Sequence, residues 1–146
     1  LTTRSTEKYG KGLYTDSFNA RTYDCLLKQA EDCLRSGKGV IVDATFKDRR
    51  HRKQFLEASS RLQLPALFVE CRASEDKTLE RLNKRQHRPG EVSDATVAIY
   101  LRQREEFAPL TEMPDSIRMV LNTEGDPEEA ASQVVNYLGR ILPVSG

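Results

Sequence analysis

The sequence is short of the features that usually announce a function. It has almost no net charge: 23 lysines and arginines stand against 22 aspartates and glutamates, a formal balance of +1 in 146 residues. That excludes a global field of the kind that holds nucleic acid or an anionic membrane, so any anion site is local. Its three cysteines are an odd number with neither zinc-site spacing nor a Cys-x-x-Cys pair, which points to reduced thiols in a reducing compartment. Cys25, Cys33 and Cys71 read as small core hydrophobes. A signal peptide, a lipidation motif and an apolar run of spanning length are all missing, so a cytoplasmic location away from membranes is expected. His51 and His87 are too far apart to suggest a metal pair, and both stand among arginines. No serine, histidine and acid arrangement offers a nucleophilic triad. Gly10-Lys11-Gly12 and Ser36-Gly37-Lys38-Gly39 lack the Gly-x-x-x-x-Gly-Lys-Ser/Thr pattern of a phosphate-binding loop, and the second ends a helix instead of starting one.

What is present is a globular composition, 38% hydrophobic and 31% charged, with no repeat, low-complexity tract or linker. Residues 1–146 are read as one domain. The polar, glycine-containing start, residues 1–14, reads as a cut end. Apolar positions from Tyr23 to Leu34 recur at helical spacing, with a cap at Thr15 or Asp16 and a stop at Gly37. Residues 39–43, Gly-Val-Ile-Val-Asp, form a short β-branched run of the kind buried in a parallel sheet. A helix over 48–62, a strand over 66–71, a helix capped by Ser74 and running to the break at Pro89-Gly90, a helix from Ser93 to about Phe107, a strand over 117–121 and a helix from Pro127 follow. Strands alternating with helices predict an α/β fold with a parallel sheet covered on both faces. Ligands in such sheets sit beyond the carboxyl ends of the strands, so Asp43-Ala44-Thr45, Cys71-Arg72-Ala73 and Asn122-Thr123 are expected to border one site.

Two segments carry candidate chemistry. Asp43-Ala44-Thr45-Phe46, followed by Arg49, Arg50 and Arg52, places a carboxylate, a hydroxyl and guanidinium groups where a strand turns into a helix. An acid there can hold magnesium or orient a hydroxyl while arginines neutralise charge on moving phosphates. The competing reading is that Asp43 caps the helix and residues 49–53 form a solvated basic face. Arg81, Arg85 and Arg88 lie at i, i+4 and i+7, on one helix face beside the Pro89-Gly90 break. That suits a lid, about residues 78–95, closing over a nucleotide. It equally suits a helix laced with ion pairs to Glu75, Glu80 or Glu91.

Read in order, Gly12-Leu13-Tyr14, the Tyr23 helix, Gly37, residues 40–46 with Arg52, Cys71, Arg81-Leu82-x-x-Arg85, Ser93-Asp94-Ala95, Gln103 and Phe107 resemble a group of P-loop kinases. The group includes zeta-toxin-like and polynucleotide-kinase-like enzymes and the ATP-binding half of aminoglycoside-phosphotransferase-like bifunctional proteins. The resemblance covers nearly the whole chain. It implies a three-layer α/β sandwich of the P-loop NTPase kinase class, and transfer of the terminal phosphate of ATP, with magnesium, to a hydroxyl of a small molecule or a nucleic-acid end. By position it carries over Asp43 as a catalytic and metal-binding acid, Thr45 and Arg52 as acceptor-binding residues, and Arg81 and Arg85 on ATP. Arg85 and Arg88 are also implied as catalytic lid arginines, and Asn122 and Thr123 as residues bordering the adenine pocket. In that group the phosphate-gripping loop precedes the point where this sequence starts, and its strand lies between the equivalents of 40–43 and 67–71. The expectation is therefore an incomplete sheet with an empty slot, filled by an upstream segment, a second chain or a rearranged local strand, and a chain inactive in isolation. A non-catalytic nucleotide- or RNA-binding module using Arg49, Arg50, Arg52 and Lys53, or an assembly domain, is the alternative.

Overall fold

The first helix forms where its apolar stripe requires. In α1 (Asp16–Arg35), Tyr23 and Ala30, two turns apart, are buried, with Leu26, Leu27 and Leu34 half-buried beside them. Gly37 stops it as expected. At φ 80° its N–H donates to the Leu34 carbonyl at 3.0 Å and the Lys38 N–H to the Cys33 carbonyl at 3.2 Å, the paired bonds that satisfy a helix end through a left-handed residue. A computed structural model describes residues 16–86 and 97–142 of the chain, and the chain divides into two units, Leu1–Ala58 and Ser59–Gly146.

The run at 39–43 departs from expectation, because it is not a strand. Residues 38–48 form no ladder with any described segment, and Ile41 is 96% exposed. A strand exists only through the N–H and C=O groups of a neighbour. Among the described residues this run has none, so β propensity alone does not organise it. Helix α2 (Arg49–Leu62) begins one residue after Asp48, whose carboxylate accepts the Arg50 N–H at 2.8 Å. It ends with Gln63 at φ 55°, the Gln63 N–H donating to the Ser60 carbonyl and the Leu64 N–H to that of Ser59, both at 3.1 Å. Pro65 then forbids continuation. The division between the two units falls within α2.

The second unit holds the sheet. Strand β1 (Phe68–Arg72) pairs in parallel with β2 (Arg118–Asn122), Phe68 opposite Arg118 and Arg72 opposite Asn122. Between them run α3 (Glu75–Gln86), α4 (Val97–Glu106) and a 3₁₀ turn, Asp115–Ile117. Helix α5 (Pro127–Ile141) follows β2, with proline in its first turn and the Asp126 carboxylate accepting the Glu128 N–H at 3.1 Å. Leu82, Leu110, Met113 and Leu121 are the buried centre. The α/β class and the parallel pairing are as the sequence predicts, with two strands among the described residues instead of three.

The cysteines depart too. Cys25, Cys33 and Cys71 are all exposed free thiols, not core residues. Cys25 and Cys33 lie off the stripe marked by Tyr23 and Ala30, and Cys71 sits near the carboxyl end of β1. No described helix is long and apolar enough to cross a membrane. Gly12-Leu13-Tyr14, His87, Arg88, the Pro89-Gly90 break and Ser93-Asp94-Ala95 lie outside the described residues.

Candidate functional site

In the first unit the candidate residues sit on a turn held from both sides. Phe46 adopts φ 44°, a left-handed conformation that costs a bulky side chain about 1–2 kcal/mol. Its backbone is fixed at both ends. The Phe46 N–H donates to the Tyr23 hydroxyl oxygen at 2.8 Å, and the Phe46 carbonyl accepts from Arg52 Nη1 at 2.7 Å. Around these bonds the rings interlock. Tyr23 stacks on His51 with centroids 3.9 Å apart and planes 8° apart, and Phe46 meets Tyr23 at 5.3 Å and the edge of Phe55 at 5.0 Å. Aromatic packing and satisfied backbone bonds together offset the strained angle.

Arg52 has no exposed surface. The residue expected to hold an acceptor instead holds the turn that carries Asp43 and Thr45. Thr45 is exposed, and its Oγ1 lies 3.2 Å from the Tyr23 hydroxyl. Asp43 is exposed and makes no hydrogen bond or ion pair among the described residues. The competing idea that Asp43 caps α2 gives way to Asp48. The Arg50 guanidinium bonded to Asp48, against a smaller cost of partial burial, lowers the Asp48 carboxyl from 3.8 to about 2. A groove of about 310 Å³ opens between α1 and α2, lined by Asp24, Arg50, His51, Lys53 and Glu57 among others.

In the second unit the carboxyl ends of the two strands are knitted to α3. The Thr123 N–H donates to the Arg72 carbonyl at 2.9 Å, and its hydroxyl donates to the same oxygen at 3.1 Å. Arg81 then bridges from α3, Nη1 to Thr123 Oγ1 at 3.4 Å and Nη2 to the Thr123 carbonyl. Asn122 Oδ1 accepts the Glu124 N–H at 2.8 Å, and Glu124 in turn accepts the Ser74 N–H at 2.5 Å. That bond, with the cations of Arg81 and Lys77 nearby, lowers the Glu124 carboxyl below its usual range.

The structure thus brings together Arg81, Asn122 and Thr123 of the expected nucleotide-binding set. Arg85 lies in α3. Of the acids expected as possible partners for the lid arginines, Glu80 takes Lys77 and Lys84 and Glu75 takes Arg104, while Glu91 lies outside the described residues. Sequence reasoning missed Tyr23 as more than packing, along with Asp48 and Glu124. A tyrosine on an otherwise apolar stripe was the available signal, since a buried phenol needs a polar partner.

A family model described as an AAA domain matches residues 2–110. A search of curated proteins finds no match.

Proposed function

This chain belongs to the AAA-domain family, whose fold is that of the P-loop NTPases, and from that premise we propose that it is part of an ATP-dependent phosphotransferase with a hydroxyl acceptor. The observation that carries the reading is the turn at 43–46, held at Phe46, which presents the unpaired carboxylate of Asp43 and the hydroxyl of exposed Thr45 just before a helix. Phosphoryl transfer is mostly positioning and charge stabilisation, so an acid and a hydroxyl donor at one turn are what it asks of a protein. Independently, Arg81, tied to Thr123 at the strand ends, supports a nucleotide contact by that residue. Arg85 and Arg88 remain its proposed lid partners. The narrower kinship with zeta-toxin-like and polynucleotide-kinase-like kinases rests on Asp43-Ala44-Thr45-Phe46 and Arg81-Leu82-x-x-Arg85.

Among the described residues no group of three acidic, histidine or cysteine side chains is placed to hold a metal by itself. Magnesium fits nonetheless, because it keeps several waters and takes one or two carboxylates beside substrate phosphates, and Asp43 is a free carboxylate of that kind. Bound there with ATP, it would neutralise charge on the phosphates. The RNA-binding alternative is weakened by the fate of the basic run. Arg52 is buried, Arg50 is paired with Asp48 at 2.6 Å, and Lys53 lies 3.7 Å from Glu57.

The test is magnesium-ATP binding and hydrolysis by this chain beside a form extended upstream in its gene. Because the 146 residues hold no Gly-x-x-x-x-Gly-Lys-Ser/Thr loop, turnover is expected only in the extended form. There Arg81→Ala should weaken ATP binding roughly tenfold, the size of a lost charge-assisted contact, and Asp43→Ala should abolish turnover. Silence in a well-folded extended form would reject the phosphotransferase reading.

A further inference from the structure

We propose that Tyr23 is a positioning residue that fixes Thr45 as a hydrogen-bond donor toward a phosphoryl oxygen; the inference rests on the phosphotransferase reading above. The argument begins with the direction of one hydrogen bond. The Tyr23 hydroxyl oxygen already accepts the Phe46 N–H at 2.8 Å. A phenol oxygen, its second lone pair drawn into the ring, is a poor acceptor for a second proton, while its O–H is a better donor than an aliphatic alcohol. Across the 3.2 Å separation from Thr45, Tyr23 therefore donates and Thr45 Oγ1 accepts.

A threonine hydroxyl has one proton and two acceptor sites. With an acceptor site filled by Tyr23, the Thr45 proton is left for a partner other than Tyr23. Thr45 is exposed and makes no other hydrogen bond among the described residues. Its natural complement is an oxygen rich in lone pairs and lacking protons, which a phosphoryl group supplies and a sugar hydroxyl supplies less well. The whole chain of bonds is rigid. Tyr23 is clamped by its stack on His51, and His51 Nδ1 lies 3.3 Å from Gln54 Oε1. Phe46 is held through its carbonyl by buried Arg52. Preorganising a donor in this way removes its rotational freedom before the ligand arrives.

The experiment is a double-mutant cycle on the upstream-extended protein, with magnesium-ATP and inorganic phosphate as separate probes and the thermal midpoint of each variant recorded. Thr45→Val is expected to weaken binding of at least one probe by roughly three- to tenfold, the range of a single hydrogen bond, and Thr45→Ser to restore it. Tyr23→Phe, which keeps the ring stack, is expected to weaken the same probe, and Thr45→Val added to it should cause little further loss. A Thr45→Val effect that persists in full in the Tyr23→Phe background makes Tyr23 merely structural and overturns the proposal, while leaving the phosphotransferase reading intact. No Thr45→Val effect on either probe overturns the proposal, and turnover by the same protein then decides the function separately. Should Tyr23→Phe fail to fold, 3-fluorotyrosine at position 23 preserves both bonds and sharpens the donor. Tighter binding of the affected probe supports the relay, and unchanged or weaker binding overturns it.

Discussion

Two runs of similar composition meet different fates. Residues 39–43 and 68–72 are both short, largely apolar, rich in residues that favour strands and end on a polar side chain. The second is a strand, paired residue for residue with β2, and places Arg72 against Thr123. The first is irregular, and its central Ile41 is almost wholly solvated. The difference lies in the neighbour and not in the residues: a helix satisfies its own backbone, whereas a strand is an unfinished object until another strand lies beside it.

The largest effect that sharpens this contrast is packing. Leu121→Ala, at a side chain 6% exposed in β2, should cost about 2–5 kcal/mol, while Ile41→Ala should stay within about 0.5 kcal/mol. Denaturant unfolding of the two variants measures both. Repeating them in a form extended upstream asks whether the run acquires a partner. A cost for Ile41→Ala that rises toward that of Leu121→Ala marks pairing, and an unchanged cost means that the slot stays open.

Next in size is the turn that gives the unpaired run its order at one end. Arg52→Ala removes the donor to the Phe46 carbonyl and should cost about 1–3 kcal/mol, the penalty for a buried group left without its partner. Loss of the upfield ring-current shifts from the Tyr23–His51 stack in the NMR spectrum would show that the turn has loosened. Retained shifts with a small stability change would mean that the aromatic cluster holds Phe46 without the arginine.

The smallest effect is a pH dependence. Asp48 caps α2, and replacing it by alanine should cost about 1 kcal/mol at neutral pH. Its folded-state carboxyl, at about 2, lies below its ordinary 3.8. The stabilisation is therefore complete above about pH 4 and is lost as the pH falls through about 2. Thermal midpoints of the wild type and Asp48→Ala should converge over that interval. A gap that stays at its neutral-pH size down to pH 2 would mean that packing, not the ionised carboxylate, sets the contribution.

Much of the fold was legible because its signals are local. Gly37 stopped α1, Pro127 opened α5 and Ser74 began α3, its hydroxyl accepting the Lys77 N–H at 3.3 Å. Each of these acts through bonds to residues a few positions away. The candidate site was half legible. Asp43, Thr45, Arg81 and Thr123 were found as residue types suited to phosphate chemistry, and the pairing of Arg81 with Thr123 follows from α3 returning past the end of β2. The burial of Arg52 was not foreseeable. An arginine in a basic run reads as solvated until the turn it serves is seen to need a donor.

By itself, then, the sequence determined the helices, several of their ends and the parallel α/β class, and it singled out the candidate residue types, because these depend on periodicity, capping and composition within reach of a few residues. Tertiary structure alone decided which apolar run became a strand, and that Tyr23 and Arg52 hold Phe46 from opposite ends. Those outcomes depend on groups more than twenty positions apart in the case of Tyr23 and Phe46, and no local pattern encodes which distant partner will satisfy a buried donor or acceptor.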